Sequence, residues 1–294
     1  MKIETKEISL PILKEKKVRL FIKRIDKVHP FVSGNKWFKL KYNLLEAEKK
    51  GLNTLLTFGG AYSNHIAATA FAAQEKGFKS IGIIRGDEHM PLNPTLCFAI
   101  ENGMKLHYVS RSYYKDKTSS DFLEKLNVQF GNFYLIPEGG MNKLAIQGTT
   151  EILDSNDCQD FICCPVGTGG TIAGIINASN YKQTVIGFPA IKGFEQLEKD
   201  IDNWTSAINY KFINNYFGNG YAKINNELVN FINEFNAKHN IPLDAIYTGK
   251  MMMGILDLVN KDYFPKGSSI LAIHTGGLQG NKGMVERLGV SLPT

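Results

Sequence analysis

The sequence predicts an α/β protein of two domains, each a mostly parallel twisted sheet flanked by helices. Three observations predict it. Short apolar runs alternate with segments of helical period along the chain, an order that makes parallel strands with helices on both faces. The length of 294 residues suits one large domain or two of ordinary size. Glycine and hydroxyl residues cluster where strands should end and helices begin, the place where open parallel sheets bind ligands.

In chain order, Met1 to Lys17 alternates charged and apolar residues and lacks the apolar core of a secretory leader. Trp37, Leu40, Leu44, Leu45 and Glu48 mark one face of a first helix, which Gly51 closes. Apolar runs at Thr54–Phe58, Ser80–Ile84, Leu106–Ser110, Phe133–Ile136, Phe161–Cys164, Thr184–Phe188 and Ser269–Ile273 read as buried strands. Between them, Ile66 to Gln74 is an alanine-rich helix suited to close packing on a sheet, and Ile172–Ala178 is a second small-residue helix. Ile224, Leu228, Phe231, Ile232 and Phe235 repeat with helical period, as do Met252, Ile255, Leu256 and Val259, and last helical turns cover Gly283–Leu288. No proline-rich or low-complexity linker interrupts the pattern.

Composition excludes several classes. With 43% hydrophobic and 21% charged residues the chain is not a disordered one. Its net charge of +6 is spread from Lys2 to Lys282 and forms no basic face for nucleic acid. No apolar run approaches the ~20 residues of a membrane span. The cysteines, Cys97, Cys158, Cys163 and Cys164, include no C-x-x-C pair, and neighbours such as Cys163 and Cys164 make no useful bridge. Reduced thiols and a cytoplasmic location are expected. No histidine pair has metal-ligand spacing, so no zinc site is expected.

Five junctions are chemically rich. Gly167–Thr171 follows a strand and opens a helix. Its glycines let successive N–H groups face one point, the helix start adds about half a positive charge, and two threonine hydroxyls can donate. A phosphate monoester and a tight β–α turn both suit it, whereas the Walker A and G-x-G-x-x-G spacings are absent. Lys36 stands at a helix start behind Ser33 and Gly34; partly desolvated it is an amine nucleophile or base, and otherwise a solvated surface lysine. Lys39 and Lys41 are expected to point elsewhere. In Gly59–His65, Ser63 sits at or near an N-cap, and the free N–H groups of Asn64 and His65 suit a carboxylate. Tyr247 and Thr275 each fall at a break before a helix or a Gly-Gly turn, and alone they carry little information. His274 and the Met251–Met253 run read as core.

Taken in order, the segments Ser33-Gly34-Asn35-Lys36-Trp37, Gly59-Gly60 with Ser63-Asn64-His65, Glu138-Gly139-Gly140, Gly167–Thr171, Tyr247-Thr248-Gly249-Lys250 and His274-Thr275-Gly276-Gly277 resemble the pyridoxal-phosphate family of D-cysteine desulfhydrase and 1-aminocyclopropane-1-carboxylate (ACC) deaminase, of fold type II. The resemblance implies pyridoxal 5′-phosphate as cofactor, held covalently by Lys36, which would also move the α-proton of a small amino-acid substrate. It implies that Gly167, Thr168, Gly169, Gly170 and Thr171 hold the phosphate, that Asn64 bonds the pyridoxal 3′-oxygen, and that Thr275 faces the pyridine nitrogen. Ser63, Asn64 and His65 would hold the substrate carboxylate, and Tyr247 and Tyr221 would line the substrate side. It further implies a homodimer, with residues 1–39 and 147–294 forming a large domain and 40–146 a small inserted domain that closes over the substrate.

Where the deaminases resemble Tyr-Glu-Gly-Lys this chain has Thr248, and where they carry leucine it has Thr275. Both follow the desulfhydrase pattern and point to β-elimination from D-cysteine or a related D-amino acid, giving pyruvate, ammonia and sulfide. ACC deamination to 2-oxobutanoate is the alternative, and a non-catalytic nucleotide-binding protein a distant one. The chain departs from the family pattern at Tyr62, Phe38, Ile25 and Leu278-Gln279, of which Tyr62 and Leu278 are placed to line a substrate pocket.

Overall fold

A computed structural model describes residues 2–190, 195–216, 220 and 223–294. The chain runs β1 (Thr5–Ile8), α1 (Pro11–Lys16), β2 (Arg19–Lys23), α2 (Asn35–Lys49), β3 (Thr54–Gly60), α3 (Asn64–Glu75), β4 (Lys79–Arg85), α4 (Pro94–Glu101), β5 (Met104–Val109), α5 (Ser120–Phe130), β6 (Tyr134–Ile136) and α6 (Lys143–Thr150). It continues with β7 (Phe161–Val166), α7 (Gly170–Ala178), β8 (Thr184–Pro189), α8 (Glu195–Asp202), β9 (Tyr210–Phe212), α9 (Asn226–His239), α10 (Thr248–Asn260), β10 (Ser269–Ile273) and α11 (Gln279–Leu288).

Among the described residues the strands form two sheets, one of six in the order β1-β2-β10-β7-β8-β9 and one of four in the order β5-β4-β3-β6. Every pairing is parallel except β1 on β2. All seven expected strands are present. The strands β1, β2 and β9 are additional, and their three to five residues are too short for an apolar run to stand out from neighbouring charge. β2 nevertheless lies between β1 and β10 and carries Leu20 and Ile22 fully into the core.

Both faces of the larger sheet are buried, as period two requires of a covered parallel sheet. Ile270, Ala272 and Cys163 face one apolar layer, while Leu271, Ile273, Ile162 and Cys164 face the other. Cys163 and Cys164 therefore point to opposite faces, and both are free thiols. The methionine run is core, with Met251 and Met252 1% exposed. α2 packs on α6 and α6 on α7. Gly148 permits the first contact, since a Cβ there would lie 2.0 Å from the Phe38 carbonyl oxygen. This helix stack brings the start of α2, which follows β2 of the larger sheet, against the start of α7.

Candidate active site

The site begins where α2 begins. Gly34 turns the chain at φ +65°, ψ −142°, a conformation open in practice to glycine alone. A Cβ there would sit 1.9 Å from the Thr275 carbonyl oxygen, and the Asn35 N–H donates to that same oxygen (3.2 Å). The start of α2 is thus seated on the loop after β10. Lys36, the second residue of α2, is half-buried on a cavity wall. Desolvation lowers its pKa to about 8.

Lys39 corrects an expectation. It does not point away: residues at i and i+3 share a helix face, and α2 turns that face to the Gly167–Thr171 loop. Lys39 is 2% exposed, and its Nζ donates to Gly139 O (2.9 Å) and to Thr168 Oγ1 (3.3 Å). Burial, and then the neighbouring Lys36 charge, hold its pKa well below the lysine range. Lys41 does point outward, to Glu151 (2.7 Å).

The phosphate-type cradle lies between β7 and α7. Gly169 caps α7 in the left-handed region (φ +85°). The first described N–H of this turn with a helical partner is that of Ala173, on Gly169 O (3.0 Å), so the preceding donors remain for an anion. Thr171 Oγ1 accepts from Asn35 Nδ2 (2.7 Å) and Thr168 Oγ1 from Lys39. Each hydroxyl, having accepted from within, keeps its proton to donate outward. At Gly170 a Cβ would lie 2.7 Å from Met141 Sδ and 3.3 Å from Lys39 Nζ, so a side chain would fill the space.

The third piece is the start of α3. Ser63 is its N-cap and accepts the Ile66 N–H (3.3 Å), and the next donor, Ala67 N–H, returns to Ser63 O (3.3 Å). The Asn64 and His65 N–H groups are the leading donors of the helix. Asn64 Oδ1 is buried without a partner. The His65 side chain is 2% exposed and engaged inward. The Thr57 hydroxyl donates to Ile136 O (2.8 Å) and so accepts from His65 Nε2 at 2.9 Å. Burial, then the charges of Lys36 and Lys39, hold the His65 pKa well below the histidine range, so the ring is neutral.

Tyr247 precedes α10. Its ring comes within 3.3 Å of the position a Cβ on Gly167 would take. Asp244, 2% exposed, positions it by accepting the N–H groups of Ile246 (2.9 Å), Tyr247 (2.8 Å) and Thr248 (2.8 Å) and the Thr248 hydroxyl (2.6 Å). Thr248 is accordingly fully buried behind the wall, whereas Thr275 lines the cavity. His274 is buried; its Nε2 donates to Pro242 O (2.6 Å) and its Nδ1 accepts the Gly276 N–H (3.3 Å), which fixes the loop holding Thr275.

A cavity of about 850 Å³, within the range of small-molecule sites, joins these pieces. Lys36, Ser63, Asn64, His65, Gly167, Thr168, Gly169, Thr171, Tyr247 and Thr275 all line it. Gly170 lies just behind as the first residue of α7, and Tyr221 lies outside the described residues. Tyr62 lines the cavity too, with the Arg287 guanidinium 5.8 Å from its ring centre, and Leu278 does not. Residue-by-residue reading missed Lys39, Arg85, Arg111 and Arg287. For Lys39 the i+3 spacing was the available signal; the arginines are joined only by the fold.

Pyridoxal 5′-phosphate fits these residues. Lys36 is an amine made reactive by desolvation, and the 167–171 turn gathers hydrogen-bond donors, with Lys39 beside it and the positive end of α7 behind it, for a phosphate. The buried, unpartnered Asn64 Oδ1 and the Thr275 hydroxyl belong to residues of the same cavity wall.

Comparison with known proteins agrees. The family profile described as "Pyridoxal-phosphate dependent enzyme" matches residues 3–276. The chain is 32% identical over 283 residues to a Thermotoga maritima protein provisionally named 1-aminocyclopropane-1-carboxylate deaminase, covering 89% of each. It is 31% identical over 301 residues to the mitochondrial bifunctional D-cysteine desulfhydrase/1-aminocyclopropane-1-carboxylate deaminase of Arabidopsis thaliana, covering 92% of this chain and 75% of that protein. The crystal structure of an ACC deaminase homologue superposes with a TM-score of 0.85 at 27% identity, over 98% of this chain and 93% of that one.

Proposed function

The chain belongs to the pyridoxal-phosphate dependent enzymes, and on that premise we propose that it catalyses β-elimination from D-cysteine or a related D-amino acid, giving pyruvate, ammonia and sulfide. The observation that carries this reading is Thr275, a neutral hydroxyl at 7% exposure on the cavity wall. When bound, the cofactor supplies an electron sink for the bond broken at the α-carbon; a neutral hydroxyl near its ring nitrogen leaves that sink weak, which favours prompt loss of a β-substituent.

In this reading Lys36 holds the cofactor, and its Nζ takes the α-proton, a task suited to an amine whose pKa has been brought down to about 8. The turn of Gly167, Thr168, Gly169, Gly170 and Thr171, with Lys39, anchors the phosphate. Ser63 and the leading N–H groups of α3 orient the substrate carboxylate, Asn64 bonds the cofactor's ring oxygen, and Tyr247 lines the substrate side. Such anchoring fixes the reacting atoms without reorganisation.

ACC deamination is the second reading, favoured by the names of the relatives. One experiment separates the two. The purified holoenzyme is given D-cysteine, β-chloro-D-alanine, their L-enantiomers and ACC side by side. Pyruvate from the D-substrates supports β-elimination; 2-oxobutanoate from ACC with no pyruvate supports the alternative. Lys36→Ala should remove both the visible absorption band of the bound cofactor and turnover.

The two sheets support a division into a large domain (1–39 and 147–294) and an inserted small one (40–146) that closes over the substrate and excludes water. A homodimer accords with Phe31, 48% exposed and packed on Phe71 and Phe98, and light scattering measures it. No helix among the described residues is long and apolar enough to cross a membrane, and four free cysteines accord with the cytoplasm.

A further inference from the structure

Strands β4 and β5 end side by side in the smaller sheet. Arg85, the last residue of β4, is in register with Val109, the last of β5, and Gly86 N–H donates to Val109 O (2.8 Å). Arg111 follows two residues after Val109 and folds back over Gly86, where a Cβ would lie 3.9 Å from Arg111 Nε. Parallel pairing therefore places two arginines at the ends of neighbouring strands, on the C-terminal edge of the sheet where such sheets bind ligands. Both arginines are exposed and both line the cavity. Arg85 Nη2 is 3.6 Å from the position of a Cβ on Gly60, and Gly60 O takes the Ser63 N–H (3.0 Å). The cations thus stand beside the start of α3.

Among the described residues no carboxylate pairs with either guanidinium within 4.0 Å, and Arg85 lies instead over the Tyr114 ring (5.7 Å). Of the acids on the cavity wall, Glu138 is paired with Lys117 (3.3 Å), and Asp87 pairs with neither arginine. The deeper groups already have tasks in the reading above: Lys39 and the 167–171 turn for the phosphate, the start of α3 for the substrate carboxylate, Lys36 for the proton. A neutral β-substituent would leave two adjacent positive charges at the mouth unused. An anionic one would be drawn in by them and gripped bidentately.

We propose that Arg85 and Arg111 form an anion subsite for the substrate's β-substituent, and that the substrate class is a β-substituted amino acid whose leaving group carries phosphate, sulfonate or carboxylate charge. The proposal rests on the β-elimination reading. Taken with O-phosphoserine, the α-proton passes to Lys36 Nζ and the Cβ–O bond breaks with its electron pair leaving on phosphate. With one water the products are pyruvate, ammonia and inorganic phosphate, and nothing is oxidised or reduced by an outside reagent.

The test compares kcat/KM for O-phosphoserine and β-chloroalanine, each enantiomer separately, in the holoenzyme and in Arg85→Gln and Arg111→Gln. The ratio of phosphoserine to chloroalanine should fall by about tenfold or more in either variant. A ratio unchanged within about twofold overturns the subsite, whether both activities fall together, as they would if the arginines held the α-carboxylate, or neither does. A second readout needs no turnover: calorimetric titration of O-phosphoserine and of serine into the Lys36→Ala protein saturated with pyridoxal 5′-phosphate, so that the 167–171 turn is already filled. Tighter binding of O-phosphoserine by about tenfold, lost on adding Arg85→Gln or Arg111→Gln, supports the subsite; equal binding of the two overturns it. Selective binding of O-phosphoserine together with no pyruvate from either amino acid would sink the elimination reading and leave the subsite standing.

Discussion

Gly34→Ala tests how the site is assembled. The added methyl would sit 1.9 Å from the Thr275 carbonyl oxygen, where real contacts of a Cβ begin at 3.0 Å. One of two backbones must therefore move by about 1 Å. Both belong to the site, for one leads into Lys36 and the other carries Thr275. Overpacking of this kind costs about 1–3 kcal/mol, and an alanine held at φ +65°, ψ −142° adds about 1–3 kcal/mol more. Gly51→Ala is the control: its φ is +66°, and nothing lies within 4 Å of the new Cβ, so it reports about 1–2 kcal/mol of backbone strain alone. Urea denaturation of the apo-proteins should place Gly34→Ala at least about 1 kcal/mol below Gly51→Ala. Titration with pyridoxal 5′-phosphate, followed by visible absorption, should show the further consequence, since misplacing a reacting group by about 1 Å costs on the order of 10²-fold in rate. Equal stabilities for the two variants, with wild-type cofactor uptake by Gly34→Ala, would refute the seating of α2 on the loop after β10.

With its pKa near 8, Lys36 is roughly 10% neutral at pH 7 and roughly 90% at pH 9. Covalent uptake of the cofactor by apo-protein should therefore rise about tenfold per pH unit and level off above pH 8; a rate still climbing towards 10.5 would contradict the desolvated amine. The linkage has a definite sign. The folded pKa lies below the unfolded one, so the unfolded chain binds more protons between about pH 8 and 10.5, and the Lys36 contribution to stability rises with pH across that window. Lys36→Met should remove that rise in pH-dependent denaturation. Lys39→Met should weaken binding of pyridoxal 5′-phosphate by about 10–100-fold while leaving the apo-protein at least as stable, because a desolvated amine with no carboxylate partner is traded for an apolar chain of similar length; parallel cofactor and urea titrations read both. Asp244→Ala, which strips four hydrogen bonds from the start of α10, should cost about 2–4 kcal/mol in urea denaturation.

Local chemistry explains which readings could be made from residues alone. Gly51 closing a helix and Ser63 capping one are decided within a few residues, so the structure places them where the pattern does. The same holds for the buried strands, whose short apolar runs between turn residues suit a covered sheet. Thr248 shows the opposite case. Set beside Tyr247 in sequence, it belongs with it by motif, yet the Asp244 cap draws its hydroxyl behind the wall. His65, adjacent to Asn64, turns its ring inward to Thr57, a residue of β3.

By itself the sequence determined the α/β class, the strand–glycine–helix junctions and the identity of the amine at position 36. These follow from periodicity and from the backbone freedom of glycine, both of which act over a few residues. Only the tertiary structure decided which junctions share one cavity, that Lys39 is buried under the 167–171 turn, and that Arg85 and Arg111 lie together at its mouth. Those relations arise from parallel pairing and helix packing between segments far apart in the chain, where residue spacing carries no distance.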